Sequence, residues 1–124
     1  MTILLIDHDA KFRGTLATAL REDGHVVQEH AQTGDLRPLD DLGEVSLAII
    51  DHAVPRANQL AFVDAFHQAN PGTPILILAA YWSLELAGKV AARPFATLIR
   101  KPIRYEEVRT LVRDINAERV SSQR

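Results

Sequence analysis

The sequence predicts an α/β domain of three layers, built on a five-stranded parallel sheet that is doubly wound, with helices on both faces. Two observations favour this fold. Five short strand-like segments alternate with helical or loop segments along the 124 residues, and four of these strands are continuous apolar runs. Such runs are typical of parallel strands buried on both faces, and parallel strands need crossover connections that are usually helices.

Each predicted strand is short, as buried strands of a small domain are. The strands are Thr2–Asp7, His25–His30, Val45–Asp51, Ile75–Ala80 and Phe95–Arg100.

Most segments between the predicted strands have the spacing of apolar residues that is typical of a helix. Phe12, Leu16 and Leu20 recur every fourth residue, and Gly24 lies where a helix would end. Residues 33–43 contain Pro38 and several acids, which favours a loop with a short, weak helix. Further helices are predicted over residues 58–70 and 83–93, and a last amphipathic helix is predicted after Lys101–Pro102, ending at about Arg119. We therefore expect one domain over residues 1–119, followed by a polar tail or linker stub at 120–124.

Composition excludes several classes of function. The absence of cysteine excludes disulfides, thiol nucleophiles and thiolate metal sites. No segment approaches the ~20 apolar residues of a membrane span, and no signal peptide is evident, so we expect a cytoplasmic protein without membrane contact. A net charge of −2 argues against direct nucleic-acid binding.

Residues 93–124 nevertheless carry 8 basic and 4 acidic side chains, a net of +4. This basic end is either a solvated helix face or part of a partner surface.

Four residues lie at the carboxyl ends of predicted strands, and three of them are charged. Asp7, Asp51, Ala79 and Lys101 all lie at or just past the carboxyl end of a strand. In doubly wound sheets these ends form one edge, where ligands bind near the reversal of strand order. Converging carboxylates repel one another unless they gain a proton or a cation. Oxygen ligands suit Mg²⁺, and Lys101 would add a charge for an anion, so the edge has the components for phosphoryl transfer to a carboxylate.

Four pieces of the sequence, in this order and spacing, resemble the receiver domain of bacterial two-component response regulators. They are the acidic strand end "IDHDAKFR", the isolated acid in "LAIIDHAVP", the strand "PILILAA" and the late "RKPI". The resemblance covers nearly the whole chain and implies a flavodoxin-like fold. It implies that Asp51 accepts phosphate from a histidine kinase or phosphotransfer protein. It further implies that Asp7, Asp51 and the backbone carbonyl of Ala53 hold Mg²⁺, that Lys101 contacts the phosphoryl group, and that the Lys101–Pro102 bond is cis.

Three departures from the family pattern affect the same chemistry. His8 replaces the usual second acid, and neutral imidazole is a poor ligand for Mg²⁺, so binding of this ion is expected to be weakened. Asp9 follows, but an acid there is common in the family and need not be a ligand. Ala79 replaces a hydroxyl residue that binds the phosphoryl group, and Leu98 replaces an aromatic residue of the family's switch.

The histidines and aromatic residues allow several interpretations. His8 is a neutral surface residue, a pH-sensitive replacement for the missing acid, or a ligand with Asp7 and Asp51 for a softer metal such as Zn²⁺ or Ni²⁺. His52 is expected to point away from Asp51, because strand side chains alternate between faces. Tyr81 and Trp82 either cover the adjacent helix or anchor a partner, and by resemblance Tyr81 lies near the pocket mouth.

These features lead to a phosphoacceptor signalling domain, not an enzyme, as the first hypothesis. The alternative is a degenerate receiver that binds a partner without phosphorylation, motivated by His8, Ala79 and Leu98. A small metal-dependent hydrolase using Asp7, His8 and Asp51 is a third hypothesis. The last strand and helix are the expected surface for a homodimer or a downstream protein.

Overall fold

The computed structural model describes residues 1–36, 42–52 and 58–122, and within these ranges helices pack on both faces of one parallel sheet. The strands are β1 (Thr2–Ile6), β2 (Val26–His30), β3 (Leu47–His52), β4 (Ile75–Ala79) and β5 (Ala96–Arg100). The α-helices are α1 (Ala10–Glu22), α2 (Asn58–Ala69), α3 (Leu84–Ala91) and α4 (Tyr105–Ser122), and a 3-10 turn covers Thr33–Asp35. The predicted α/β architecture is confirmed.

Strand order is β2-β1-β3-β4-β5, with every neighbouring pair parallel. The chain moves outward from β1 to β2 and then crosses to the other side of β1, so the order reverses between β1 and β3. Pairing of Ile6 with Ile50 brings the carboxyl ends of these two strands level. This edge is where doubly wound folds place their ligands.

Alternation along the central strands divides the core into two layers. Ile3 and Leu5 pack with Leu16 and Leu20 on the face covered by α1 and α4. Their neighbours Leu4 and Ile6 lie on the opposite face, with Phe66 of α2 and with α3. Both faces of β1, β3 and β4 are therefore covered, which explains why their sequences are apolar throughout.

Element boundaries agree with the predicted ones to within a few residues. Gly24 has a φ of +94°, the left-handed conformation that favours glycine, and it follows α1 as expected. The last helix runs to Ser122, three residues beyond the expected end, because no glycine or proline interrupts it. Residues 120–122, expected to be part of a polar tail, are therefore helical. In the 33–43 region the structure shows the 3-10 turn, and residues 37–41 lie outside the described ranges.

None of the helices in the described ranges is both long enough and apolar enough to cross a bilayer.

Candidate functional site

Three strands deliver charged side chains to the carboxyl edge of the sheet. Asp7 directly follows β1, Asp51 is the penultimate residue of β3, and Lys101 directly follows β5. The two aspartates are 1% and 3% exposed. Carboxylates this deeply buried need compensating charge or hydrogen bonds, since an isolated buried charge is strongly destabilising.

Lys101 supplies that compensation by bridging the two carboxylates. Its Nζ donates to Asp7 Oδ2 and to Asp51 Oδ1, each at 2.9 Å. Burial is the largest influence on the Lys101 pKa and lowers it, but hydrogen bonds and attraction from Asp51 and Asp7 together outweigh burial and raise the pKa above 10.5. The charged lysine therefore stabilises the fold fully at pH values below its unfolded pKa. That stabilisation is lost as the pH rises through the raised folded pKa.

An aromatic ring also holds the lysine. The Nζ of Lys101 lies 4.7 Å from the centroid of the Phe12 ring, within the range of a cation–π contact. Phe12 in turn stacks on Tyr105 at the start of α4, with centroids 5.2 Å apart. The sequence pattern identified Phe12 only as a member of the apolar stripe of α1. Nothing in the spacing indicated that its ring would lie beside an ammonium group.

The loop after β1 is fixed by its own hydrogen bonds. The backbone N–H of Asp9 donates to Asp7 Oδ1 at 2.9 Å, and Arg13 Nη1 donates to the Asp7 carbonyl at 2.7 Å. The Asp9 carboxylate accepts from the backbone N–H groups of Phe12 and Lys11 at the start of α1. The bond from Phe12 is the largest influence on the Asp9 pKa and lowers it. In this arrangement Asp9 is the helix N-cap, a role its residue type favours.

His8 contacts the carboxylate of Asp51. Its Nδ1 lies 2.5 Å from Asp51 Oδ2 and 3.7 Å from Asp7 Oδ1, while the side chain is 65% exposed. An ionised carboxylate only accepts, so the ring nitrogen donates. One Asp51 oxygen therefore contacts His8 and the other contacts Lys101. The side chains of Asp7, His8 and Asp51 offer ligand atoms within 4.8 Å of one another. Ala53, the predicted backbone ligand, lies outside the described residues.

Two positions that differ from the family pattern share one core layer. Ala79, at the end of β4, is fully buried, and Leu98 of β5 packs against the same apolar cluster. The Ala79 carbonyl accepts from the backbone N–H of Lys101 at 2.8 Å. Its methyl side chain has no hydrogen-bonding atom, so at this position only the backbone can take part in polar contacts.

His52, Tyr81 and Trp82 line a separate groove between α2 and α3. His52 is buried, and its Nδ1 has no hydrogen-bond partner among the described residues. Its position in this groove agrees with the orientation away from Asp51 that strand alternation predicts. Tyr81 is 58% exposed, and the Arg100 guanidinium lies 5.0 Å from the centroid of the Trp82 ring. Both aromatic residues therefore contribute to the α2–α3 side of the molecule.

Comparison with known proteins gives one consistent family. Residues 3–113 match the family described as the response regulator receiver domain. The chain is 31% identical over 128 residues to the probable transcriptional regulatory protein SilR of Salmonella typhimurium, and 30% identical over 127 residues to the transcriptional regulatory protein CusR of Escherichia coli K12. Each match covers 99% of this chain and 56% of the relative, so the chain spans little more than half the length of these proteins.

Solved structures share the same fold. A CheY-like response regulator receiver domain protein of Methanospirillum hungatei superposes with a TM-score of 0.80 at 20% identity, covering 97% of both chains. A response regulator of Burkholderia pseudomallei, solved with a phosphorylated aspartic acid, a calcium ion and citrate, superposes with a TM-score of 0.74 at 22% identity. That match covers 99% of this chain and 75% of the other.

The bridge predicts a large effect of removing Lys101. Lys101→Met leaves two buried carboxylates facing each other without a cation, and we expect it to lower the free energy of unfolding by about 3 kcal/mol. Lys89→Met is the matched control, because Lys89 is half-exposed and, among the described residues, forms its ion pair with Glu85 on the surface of α3. It should cost no more than about 0.5 kcal/mol. Urea unfolding measures the free energy of unfolding of both variants. Equal decreases in the two variants would contradict a stabilising role of the Lys101 bridge.

Proposed function

The chain belongs to the response regulator receiver domain family, and we propose that Asp51 is the residue that accepts its phosphoryl group. The donor would be a phosphohistidine on a histidine kinase or phosphotransfer protein. The observation that supports Asp51 most is its contact with Lys101, at 2.9 Å and in a buried position. That contact places a fixed positive charge beside an oxygen that would become part of an acyl phosphate.

The proposed step is a direct displacement at phosphorus. An oxygen of Asp51 attacks the phosphorus, the bond from phosphorus to the donor imidazole nitrogen breaks, and that imidazole leaves and takes up a proton. Lys101 is placed to neutralise the phosphoryl oxygens as their charge develops, which is where a preorganised cation lowers the barrier. Because Asp51 Oδ2 contacts His8 Nδ1, attack through that oxygen requires His8 to move aside.

A divalent cation completes the proposed site. The carboxylates of Asp7 and Asp51 fit Mg²⁺, which accepts one or two carboxylates with several waters, whereas the imidazole of His8 does not. The carbonyl of Ala53 is proposed as a further ligand. When bound, the ion would neutralise charge on the phosphoryl oxygens.

Partners of the phosphorylated domain are proposed at its basic end. The last strand and helix belong to the segment 93–124, whose net charge is +4. Arg109 of α4 is already paired with Asp23 and Glu106. We propose that this surface binds a second copy of the domain or a downstream protein, with the chain acting as a phosphoacceptor and not as an enzyme on an external substrate.

A second candidate is an interaction module that works without phosphorylation. It is favoured by the methyl group of Ala79, which cannot hydrogen-bond a phosphoryl oxygen, and by the contact between His8 and Asp51. In this case the partner would bind the unmodified domain, and Asp51→Ala would leave the biological output unchanged.

The first proposal predicts covalent modification at a single side chain. Incubation with acetyl phosphate and a divalent cation should add one phosphoryl group to the wild-type protein, detected by intact mass spectrometry. Asp51→Asn should prevent the gain because the amide is a poor nucleophile. Asp64→Asn is the control, since Asp64 is an acid of α2 that pairs with Arg93 and is not a member of the cluster of Asp7, His8 and Asp51. A phosphorylated Asp51→Asn protein, or an unmodified wild-type protein at saturating donor, would exclude the proposal.

Ala79 predicts a weak conformational response to phosphorylation. With beryllofluoride as a phosphoryl mimic, hydrogen exchange in the wild-type protein should change only near the loops after β1 and β3. In Ala79→Thr the hydroxyl can bind the mimic, and the change should spread to Leu98 and β5. Ala79→Val has the same shape without the hydroxyl and should behave like the wild type. An equally wide response in all three proteins would show that the hydroxyl is irrelevant here.

A further inference from the structure

We propose that Asp7, His8 and Asp51 form a mixed nitrogen–oxygen site that favours a borderline divalent transition ion, of the Fe²⁺ to Zn²⁺ series, over Mg²⁺. The inference rests on the proposed function, because it names the ion that would accompany phosphoryl transfer at Asp51. It starts from one geometric fact: a ring nitrogen and two carboxylates offer ligand atoms within 4.8 Å of one another.

Distances within the cluster are close to those between two ligands of one ion, without matching them. Two ligands about 2.1 Å from one ion, at angles of about 90° to 110°, lie roughly 3.0 to 3.4 Å apart. His8 Nδ1 is 2.5 Å from Asp51 Oδ2 and 3.7 Å from Asp7 Oδ1, one value below this range and one above it. Movement of the exposed His8 ring away from Asp51 Oδ2 and toward Asp7 Oδ1 would change both distances in the required direction.

The carboxylates are already held for such a role. Lys101 binds Asp7 Oδ2 and Asp51 Oδ1, so those oxygens are turned toward the ammonium group. The remaining oxygens, Asp7 Oδ1 and Asp51 Oδ2, are the ones nearest the His8 ring. The backbone N–H of Asp9 donates a hydrogen bond to Asp7 Oδ1 and so helps to orient this oxygen. Hydrogen bonds of this kind fix ligand orientation in metal sites.

Charge and ligand chemistry set the preference between ions. Mg²⁺ is a hard ion that binds oxygen, keeps most of its waters and gains most from negative charge. A neutral imidazole in place of a third carboxylate removes one negative charge from the ligand set. Imidazole nitrogen is instead a good ligand for Zn²⁺, Ni²⁺, Co²⁺ and Fe²⁺. The imidazole of His8 in place of a carboxylate therefore weakens binding of Mg²⁺ and strengthens binding of the transition ions.

Access to the site comes from the His8 side. The two aspartates are almost completely buried, whereas the His8 side chain is 65% exposed. An ion arriving from solvent meets the imidazole first. Withdrawal of the ring from Asp51 Oδ2, with loss of the Nδ1 proton to solvent, then frees Nδ1 to act as a ligand. Ion binding and release of Asp51 from His8 therefore occur together.

The test compares two ions in two proteins. Dissociation constants for Co²⁺ and Mg²⁺ are measured by calorimetry on the wild type and on His8→Asp, without any phosphodonor. All sites with carboxylates favour Co²⁺ to some degree, so the quantity that matters is the change in the ratio of the two constants. We expect the preference for Co²⁺ over Mg²⁺ to fall by about tenfold or more in His8→Asp, the range seen when metal-site contacts are changed.

Proton NMR of the Co²⁺ complex identifies the ligand directly. A bound imidazole shows ring resonances shifted far outside the ordinary range by the paramagnetic ion. These resonances should be present in the wild type and in His30→Gln, a histidine of β2 outside the cluster, and absent from His8→Asp and His8→Ala. His8→Ala adds no charge and serves if His8→Asp folds poorly. An unchanged ratio of constants, or shifted resonances that survive His8→Ala, would overturn the proposal. Failure of Asp51 to accept phosphate would leave this result unaffected, so the two proposals fail separately.

Discussion

The bridge from Lys101 to Asp7 and Asp51 is the interaction on which the rest of the site depends. The sheet brings two carboxylates to adjacent strand ends, where each is almost completely buried. Lys101 follows β5, which is separated from β3 by β4, so its long side chain has to reach past the end of β4 to contact both acids. Without that ammonium group the edge would carry two uncompensated negative charges, and folding would oppose the arrangement that the chemistry needs.

The same bridge leaves the site with one negative charge that is not balanced. Asp7, Asp51 and Lys101 together carry −1, which attracts a cation and leaves Lys101 available for an incoming anion. His8 and Lys101 contact the two oxygens of Asp51, so the carboxylate is held on both sides. Ala79 adds only a backbone contact at the end of β4. The site is therefore well suited to binding charged groups. Ala79 offers no side-chain hydrogen bond that could couple a bound anion to β5.

Much of this could be predicted from the sequence, for physical reasons that differ between residues. Buried parallel strands have to be apolar, so the parallel sheet and the meeting of Asp7, Asp51 and Lys101 at one edge follow from the pattern of strands and crossovers. The orientation of His52 away from Asp51 follows from the alternation of side chains along β3. The contact of His8 with Asp51 could not be predicted, because an exposed side chain is placed by its rotamer and not by periodicity. The contact of Phe12 with Lys101 and the capping of α1 by Asp9 could not be predicted either. The residue types allow these contacts, but only the folded loop specifies them.

The most direct test of the bridge is a double-mutant cycle between Lys101 and Asp51. The free energies of unfolding of the wild type, Lys101→Met, Asp51→Asn and the double variant are measured under one set of conditions. If the ammonium group compensates the buried carboxylate, Asp51→Asn should destabilise the wild type little, and should restore stability when Lys101 is already replaced. The account predicts a coupling energy above about 1 kcal/mol, as found for residues in contact within one network. Additive effects, with a coupling energy near zero, would contradict it.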